Sequence, residues 1–448
     1  LEAQDRHANT ASGMIARWVR WPVLEDPDPN RSIPSIWGEG LLIEPSDPSL
    51  VIANIVAIGD CDQTPGQLGG ITSGLDRQKQ FVKSLADKNC RLVVPMLISR
   101  ELKQRGGRAK LTNREFLYRS SFELGKHVVG YEVQIVRSAI DALGTSLPLG
   151  IIGVGEGGRI ALHASALDER IDVTCIAGCV GDAAQTWKQP LDRNIFGLLN
   201  EFGDAELLSL VAPRDVIVQH CETDKTVLDG VGGGGPGKIE PIALEEGQSE
   251  VRRANGIGRT LANDPAWAIE EVLRDDVPAG PTTIDTFLFQ LTGERVIDTG
   301  MKIENADLPA EPERQNALVE HLDRHNQLVL RESPFLRKTL FSELNTESVR
   351  QYEQSVKTYR DKFRHEVIGH FDQPLLPANP RVRRTWNNEK WTGYEVVLDV
   401  FPNVIAYGVL LVPNDMKANE KRPVVVCQHG LEGRPTDTFL DDHRAYHD

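Results

Sequence analysis

The stretch Leu149–Leu162, LGIIGVGEGGRIAL, decides the reading of the fold. An unbroken apolar run, Leu149–Ile152, leads into four glycines, Gly153, Gly155, Gly157 and Gly158, within six residues. A short apolar run bounded by glycines suits a strand covered on both faces. The following GGRIALHASALDE has helical spacing, so the chain turns sharply from strand to helix with Glu156 at the apex. Side chains beside such a turn must be small, because the two backbones approach closely. A carboxylate there meets the free N–H groups and dipole of the new helix, an attraction of roughly 0.3–1 kcal/mol.

Working outward, the same alternation continues. Upstream lie GEGLLIEP (Gly38–Pro45), read as the first strand, ANIVAIGD (Ala53–Asp60) and CRLVVPML (Cys90–Leu97). Between them Leu75, Phe81, Val82 and Leu85, and later Val129, Val133, Val136 and Ile140, repeat at helical intervals. Downstream come DVTCIAGC, a short helix ending near Val211, and RDVIVQHC (Arg214–Cys221). Apolar strands alternating with helices imply an α/β fold with a mostly parallel sheet covered by helices. The Gly-rich DGVGGGGPGKIE (Asp229–Glu240) is expected to be a mobile surface loop, and no Lys-Ser/Thr follows it at P-loop spacing. TTIDTFLFQLTG (Thr282–Gly293) is a further strand candidate, followed by charged helices near Glu313–Arg331 and Thr346–Ile368. After the Pro-rich FDQPLLPANP, YEVVLDVFPNVIAYGVLLVP predicts a strand pair turning at Pro402-Asn403, and RPVVVCQHGLEGRP a buried strand and loop. The expected organisation is an extension over 1–34, an α/β domain over 35–300, a helical linker over 301–380 and an incomplete second α/β unit over 381–448.

The 448 residues carry 50 basic and 65 acidic side chains, a formal charge of −15. That balance argues against a nucleic-acid partner, which needs clustered Lys and Arg. No apolar run reaches the ~18 residues of a membrane span. The chain opens on Leu1 without a signal-peptide pattern, so a processed chain or a fragment is expected and the compartment stays open, secreted or periplasmic included. Cys61, Cys90, Cys175, Cys179, Cys221 and Cys427 lack metal-knuckle spacing and are expected to be buried, inert thiols. Neither metal nor cofactor is expected.

The chemistry should lie at the Gly-rich turn. In G-x-S-x-G elbows the turn exposes a nucleophile at a helix N-terminus. Here the glycines are kept and the nucleophile position is assigned to Glu156. A carboxylate can attack covalently, but a buried scaffold role is the simpler expectation. A second reading takes Gly153, Gly155 and Gly158 as a G-x-G-x-x-G dinucleotide fingerprint with Asp182 as the ribose-binding acid. Against it, two strands and two helices precede the motif, and Glu156 would face the pyrophosphate.

GVGEGGRIALHASALDERIDVTCIAG resembles the elbow, helix and next strand of α/β hydrolases in the dienelactone hydrolase and acetyl xylan esterase group. PVVVCQHGLEG resembles the entry to another domain of that group. The resemblance implies a tandem hydrolase with a degenerate first copy and a truncated second copy. It implies a carboxylic ester hydrolase acting by serine acyl transfer, with acyl or acetyl esters of polysaccharide as substrates. It places Asp224, or Glu222, at the acid position, and His429, Gly430 and Leu431 in an oxyanion loop. No His follows the last strand of the first copy; His127 and His163 look structural, and His321 and His325 lie on a charged helix. The alternative is a non-catalytic binding or scaffold module. On either reading a homo-oligomer or pairing through the tail is a candidate assembly. The segment Trp187–Leu207 is either a cap over the site or a packed connection. Trp386 and Trp391 either stack on sugar rings or pack at a strand entry.

Overall fold

The computed structural model describes residues 2–3, 13–26, 34–144, 146–273, 275, 277–300, 303, 308–431 and 433–440. The chain divides into two compact units, Leu1–Leu340 and Phe341–Asp448.

The first unit is built on one large sheet. Its principal strands are β1 (Met14–Glu25), β2 (Pro34–Pro45), β3 (Ala53–Ile58), β4 (Cys90–Pro95), β5 (Leu149–Val154), β6 (Val173–Ala177), β7 (Asp215–Gln219) and β8 (Glu270–Val272). The spatial order is β1-β2-β4-β3-β5-β6-β7-β8, with the two-residue strand Glu2–Ala3 beyond β1. β2 runs antiparallel to β1 and β4, and every pairing from β4 to β8 is parallel. This is an α/β hydrolase-like sheet, its strands joined by helical crossovers as parallel pairing requires.

Strand alternation sorts the core into two layers. Val56, Ile58, Ile151, Val216 and Val218 face one cluster with α3 (Val128–Leu143), α4 (Glu156–Leu167), α5 (Asp204–Ser209), α6 (Leu244–Leu261) and α8 (Glu311–Leu340). Ile55, Ala57, Ile152, Val154 and Ile217 face the other, with α1 (Phe81–Ala86) and α7 (Pro281–Thr292). One more helix, α2 (Asn113–Phe122), precedes α3. With both faces covered, each central strand reads as a continuous apolar run.

Two sequence expectations about the first unit are corrected. Met14–Glu25, assigned to an extension, is a twelve-residue strand of the sheet. Thr282–Gly293 is not a strand but the helix α7. Its Thr, Ile and Phe content suggested β structure, yet Ile284, Phe287, Leu288 and Leu291 form a helical stripe, Pro281 opens the first turn and Gly293 closes the last at φ +75°. The Gly-rich loop is pinned between short strands Thr226–Leu228 and Gly237–Ile239. It is tied down by Lys110 N to Gly232 O (2.9 Å) and by Gly235 N to Glu115 Oε1 (2.8 Å).

In the second unit, a helix α9 (Val349–Lys362) precedes an antiparallel sheet of β9 (Arg381–Asn387), β10 (Trp391–Phe401) and β11 (Val404–Pro413). The β10–β11 turn falls at Pro402-Asn403 as expected, with Asn403 at φ +65°. Trp386 and Trp391 both pack against Phe439 in T-shaped pairs, with centroids 5.3 and 5.5 Å away, at the strand entry. Val424–Cys427 is not a buried strand: Val424, Val425 and Val426 are 81%, 81% and 89% exposed. A run apolar on both faces needs strands on either side and covering helices, and the described residues supply neither.

The α4–sheet contact should be intolerant of any side chain at Gly157, where an added Cβ would lie 2.3 Å from Gly59 O. Gly157→Ala is expected to cost about 1–3 kcal/mol. Urea unfolding checks this, and an unchanged midpoint would mean the helix can shift freely off β3.

Candidate functional site

The parallel strands deliver their loops to one edge of the sheet, where open α/β sheets bind ligands. Asp60 follows β3, Gly155 follows β5, Gly178–Asp182 follow β6 and Thr223-Asp224 follow β7. Together they line a cleft of about 640 Å³. Its wall is completed by Trp187–Gln189, Arg193 and the short strand Gly237–Ile239.

The turn itself falls at Gly155, with φ +57° and ψ −119°, a conformation open almost only to glycine. Glu156 is the first residue of α4 and is fully buried, so the sharp corner lies one residue before the apex expected from sequence. Among the described residues the cleft wall includes Gly155 but not Glu156. Close packing explains the other glycines. A Cβ on Gly153 would sit 2.3 Å from Gly157 O, and one on Gly158 would sit 2.7 Å from Cys179 Sγ.

Glu156 points into a buried knot of charge. Its Oε2 accepts from Arg193 Nε (2.8 Å) and Nη2 (2.6 Å) and from Arg100 Nη2 (2.5 Å), while Oε1 accepts from Arg114 Nη2 (3.3 Å). Arg114 in turn donates to Glu132 (2.7 and 3.0 Å) and to Asp192 Oδ2 (2.6 Å). Burial by itself would push the Glu156 carboxyl up. Arg193, Arg114 and Arg100 outweigh burial and hold it well below the usual carboxylate range. The group is ionised at neutral pH, met by donors on both oxygens and shut away from the cleft.

Asp60 occupies the space above the turn. Its Oδ2 accepts from Glu156 N (3.0 Å), and its Oδ1 accepts from Arg100 Nη1 (3.2 Å) and Asp62 N (3.3 Å). A Cβ on Gly155 would lie 2.6 Å from Asp60 Oδ2. The anion position at the helix N-terminus, which a pyrophosphate would need, is therefore held by the chain's own carboxylate. Asp182 caps the short helix Ala183–Lys188 instead. Asp60, Cys61 and Asp62 bring ligand atoms within 4.8 Å of one another. Arg100 already fills that position, with Nη1 2.8 Å from Cys61 Sγ and 3.4 Å from Asp62 Oδ2.

Asp224 lines the cleft, largely exposed, with both oxygens 2.8 Å from Lys79 Nζ. No histidine lines the cleft among the described residues. His127 caps α3, accepting from Val129 N (3.1 Å), and burial pushes its pKa down to about 4. His163 bonds Arg159 O (2.7 Å), and burial lowers it too. On α8, His325 lies 2.8 Å from Ser35 Oγ, while burial lowers His321. His220, just past β7, pairs with Glu271 (2.8 Å). In the second unit, His429 Nδ1 lies 2.8 Å from Gly430 O and Leu431 is fully exposed. Cys90, Cys179 and Cys221 are pushed up to about 12 by burial, whereas Cys427 is exposed, against expectation.

No family model matches the chain, and no curated protein matches it. Solved structures resemble it at a distance. A Bacteroides fragilis protein assigned as an acetyl xylan esterase has 11% identity and a TM-score of 0.43, over 68% of this chain and 78% of that one. The methylesterase BT1017 has 13% identity and a TM-score of 0.40, over 79% and 69%. A glucuronoyl esterase of Teredinibacter turnerae has 12% identity and a TM-score of 0.37, over 64% and 80%. These are likenesses of fold.

Removing one member of the charge knot strands its partners. Glu156→Gln is expected to destabilise the first unit by about 3–5 kcal/mol. Because the folded Glu156 carboxyl lies below its unfolded value, its stabilisation is full above about pH 4 and is lost as the pH falls further. Chemical denaturation of wild type and variant between about pH 3 and about pH 7, a range spanning the ordinary carboxylate value, reads both effects. A difference that does not shrink toward low pH would remove Glu156 from this role.

Proposed function

We propose that the first unit is a hydrolase-fold binding module whose cleft holds a ligand without hydrolysing it. The observation that carries this reading is Gly155 at the strained turn, with Asp60 filling the space a nucleophile's side chain would need. Serine acyl transfer requires a nucleophile, a histidine base and an orienting acid. Among the described residues, only the acid position has a candidate group in the cleft, Asp224, and it is paired with Lys79. Glu156 does not substitute, since its oxygens are engaged by three guanidinium groups and never reach the cleft.

The remaining cleft suits recognition of a polar ring compound such as a carbohydrate ester. Its volume falls within the range of small-molecule sites. Trp187, 75% exposed, offers an aromatic face beside Gln185 and Gln189, as a cap over a ligand would. Ester hydrolysis belongs, on this reading, to a second hydrolase-like unit that the sheet β9–β11 and the exposed Val424–Val426 run would open. Exposure of that run, which packing would relieve at about 25 cal/mol per Å², supports it.

The purified protein is expected to turn over p-nitrophenyl acetate no faster than buffer. Gly155→Ser, which supplies an oxygen but no base, should not create activity. Saturable turnover by wild type, abolished by a single substitution in the cleft, would defeat the binding-module reading.

A further inference from the structure

Among the described residues, the cleft wall contains one guanidinium without a hydrogen-bonded partner. Arg159, the fourth residue of α4, reaches the wall with its side chain 17% exposed. Among the described residues its only side-chain polar contact is an ion pair with Asp204 Oδ1 at 3.9 Å, too long for a hydrogen bond. Asp204 directs its other oxygen to Gly181 N at 3.0 Å. Of the neighbouring cations, Arg193 is engaged by Glu156 and Gln189, Arg100 by Glu156 and Asp60, and Lys79 by Asp224, while Lys188, 5.2 Å from the Trp187 ring centroid, and Lys238 also line the cleft. The helix N-terminus beside Arg159 is closed by Asp60.

A buried guanidinium presents five N–H donors in a planar fork that matches a carboxylate, and an unmet donor in a low-dielectric wall is costly. Asp204 and Glu156 nearby keep the group charged despite the burial that opposes it. We propose that Arg159 is the anchor of a carboxylate-binding site, taking an organic acid whose carboxylate meets the guanidinium and whose ring lies toward Trp187. The inference rests on the reading of this cleft as a binding site, and it names what that site selects. A uronic acid and an aromatic acid share this chemistry; the exposed Trp187 suits either ring.

Calorimetric titration of the full chain with D-glucuronate, benzoate, inorganic phosphate and D-glucose tests the assignment. One of the two carboxylates should bind saturably, with D-glucose weaker, and the one that binds identifies the source. Arg159→Gln should weaken it by about tenfold or more, the loss of charged hydrogen bonds. Arg159→Lys, which keeps the charge but not the fork, should weaken the carboxylate more than phosphate. Thermal melting confirms that each variant is folded, and the lysine variant decides alone if the glutamine variant is not. Absence of saturable carboxylate binding, phosphate binding as tight as the carboxylate, or affinity unchanged in the folded variants would each overturn the site. Turnover of p-nitrophenyl acetate in the same samples is a separate readout: hydrolysis would sink the non-catalytic reading and leave the carboxylate site standing.

Discussion

A carboxylate taken wholly out of water is tolerable only when its charge is answered, and Glu156 is answered three times. Arg100 comes from the loop after β4, Arg114 from α2 and Arg193 from the segment between β6 and α5. Arg114 carries the connection on to Glu132 of α3 and to Asp192, so segments far apart in sequence close on one point. Neighbouring charges outweigh the desolvation cost at Glu156, Arg114 and Arg100, while burial still lowers Arg193 and raises Glu132. The cluster is therefore cooperative, and the loops that floor the cleft are held in place by it.

The same cluster shapes the site from below. Arg100 reaches through to Asp60 and fixes its carboxylate over Gly155, against the first N–H of α4. The Glu156 N–H at the helix N-terminus, a donor that could otherwise meet a developing oxyanion, is here taken by Asp60. What remains open is the outer cleft, between the segments after β6 and β7, with Arg159 and Trp187 on its wall. Architecture does not by itself supply a site: the sheet, crossovers and sharp turn are present, and among the described residues neither a serine nor a histidine lines the cleft beside them.

Much of the architecture was legible in the chain. Runs such as Ala53–Ile58 and Leu149–Val154 contain so little polar character that only a strand covered on both faces accommodates them, and the amphipathic period of Val128–Leu143 admits only a helix. The glycines around Glu156 announced a close turn for the same steric reason. Local pattern failed where composition and period disagreed, as in Pro281–Thr292, whose Thr and Phe suggest β structure while its spacing is helical. It failed again at Val424–Val426, because a strand exists only through its neighbours.

Sequence by itself determined the order of the central strands from Ala53 to Gln219, the tight turn at Gly153–Gly158 and the lack of Ser or Cys within that turn, since each follows from steric limits and periodicity within a few residues. Only the tertiary structure decided that Gly155 holds the corner, that Asp60 fills the space above it, and that Arg100, Arg114 and Arg193 converge on Glu156 while Arg159 does not. Those outcomes depend on pairings between residues up to 96 positions apart. The energy of a charge is set by what surrounds it after folding, and no local pattern records that.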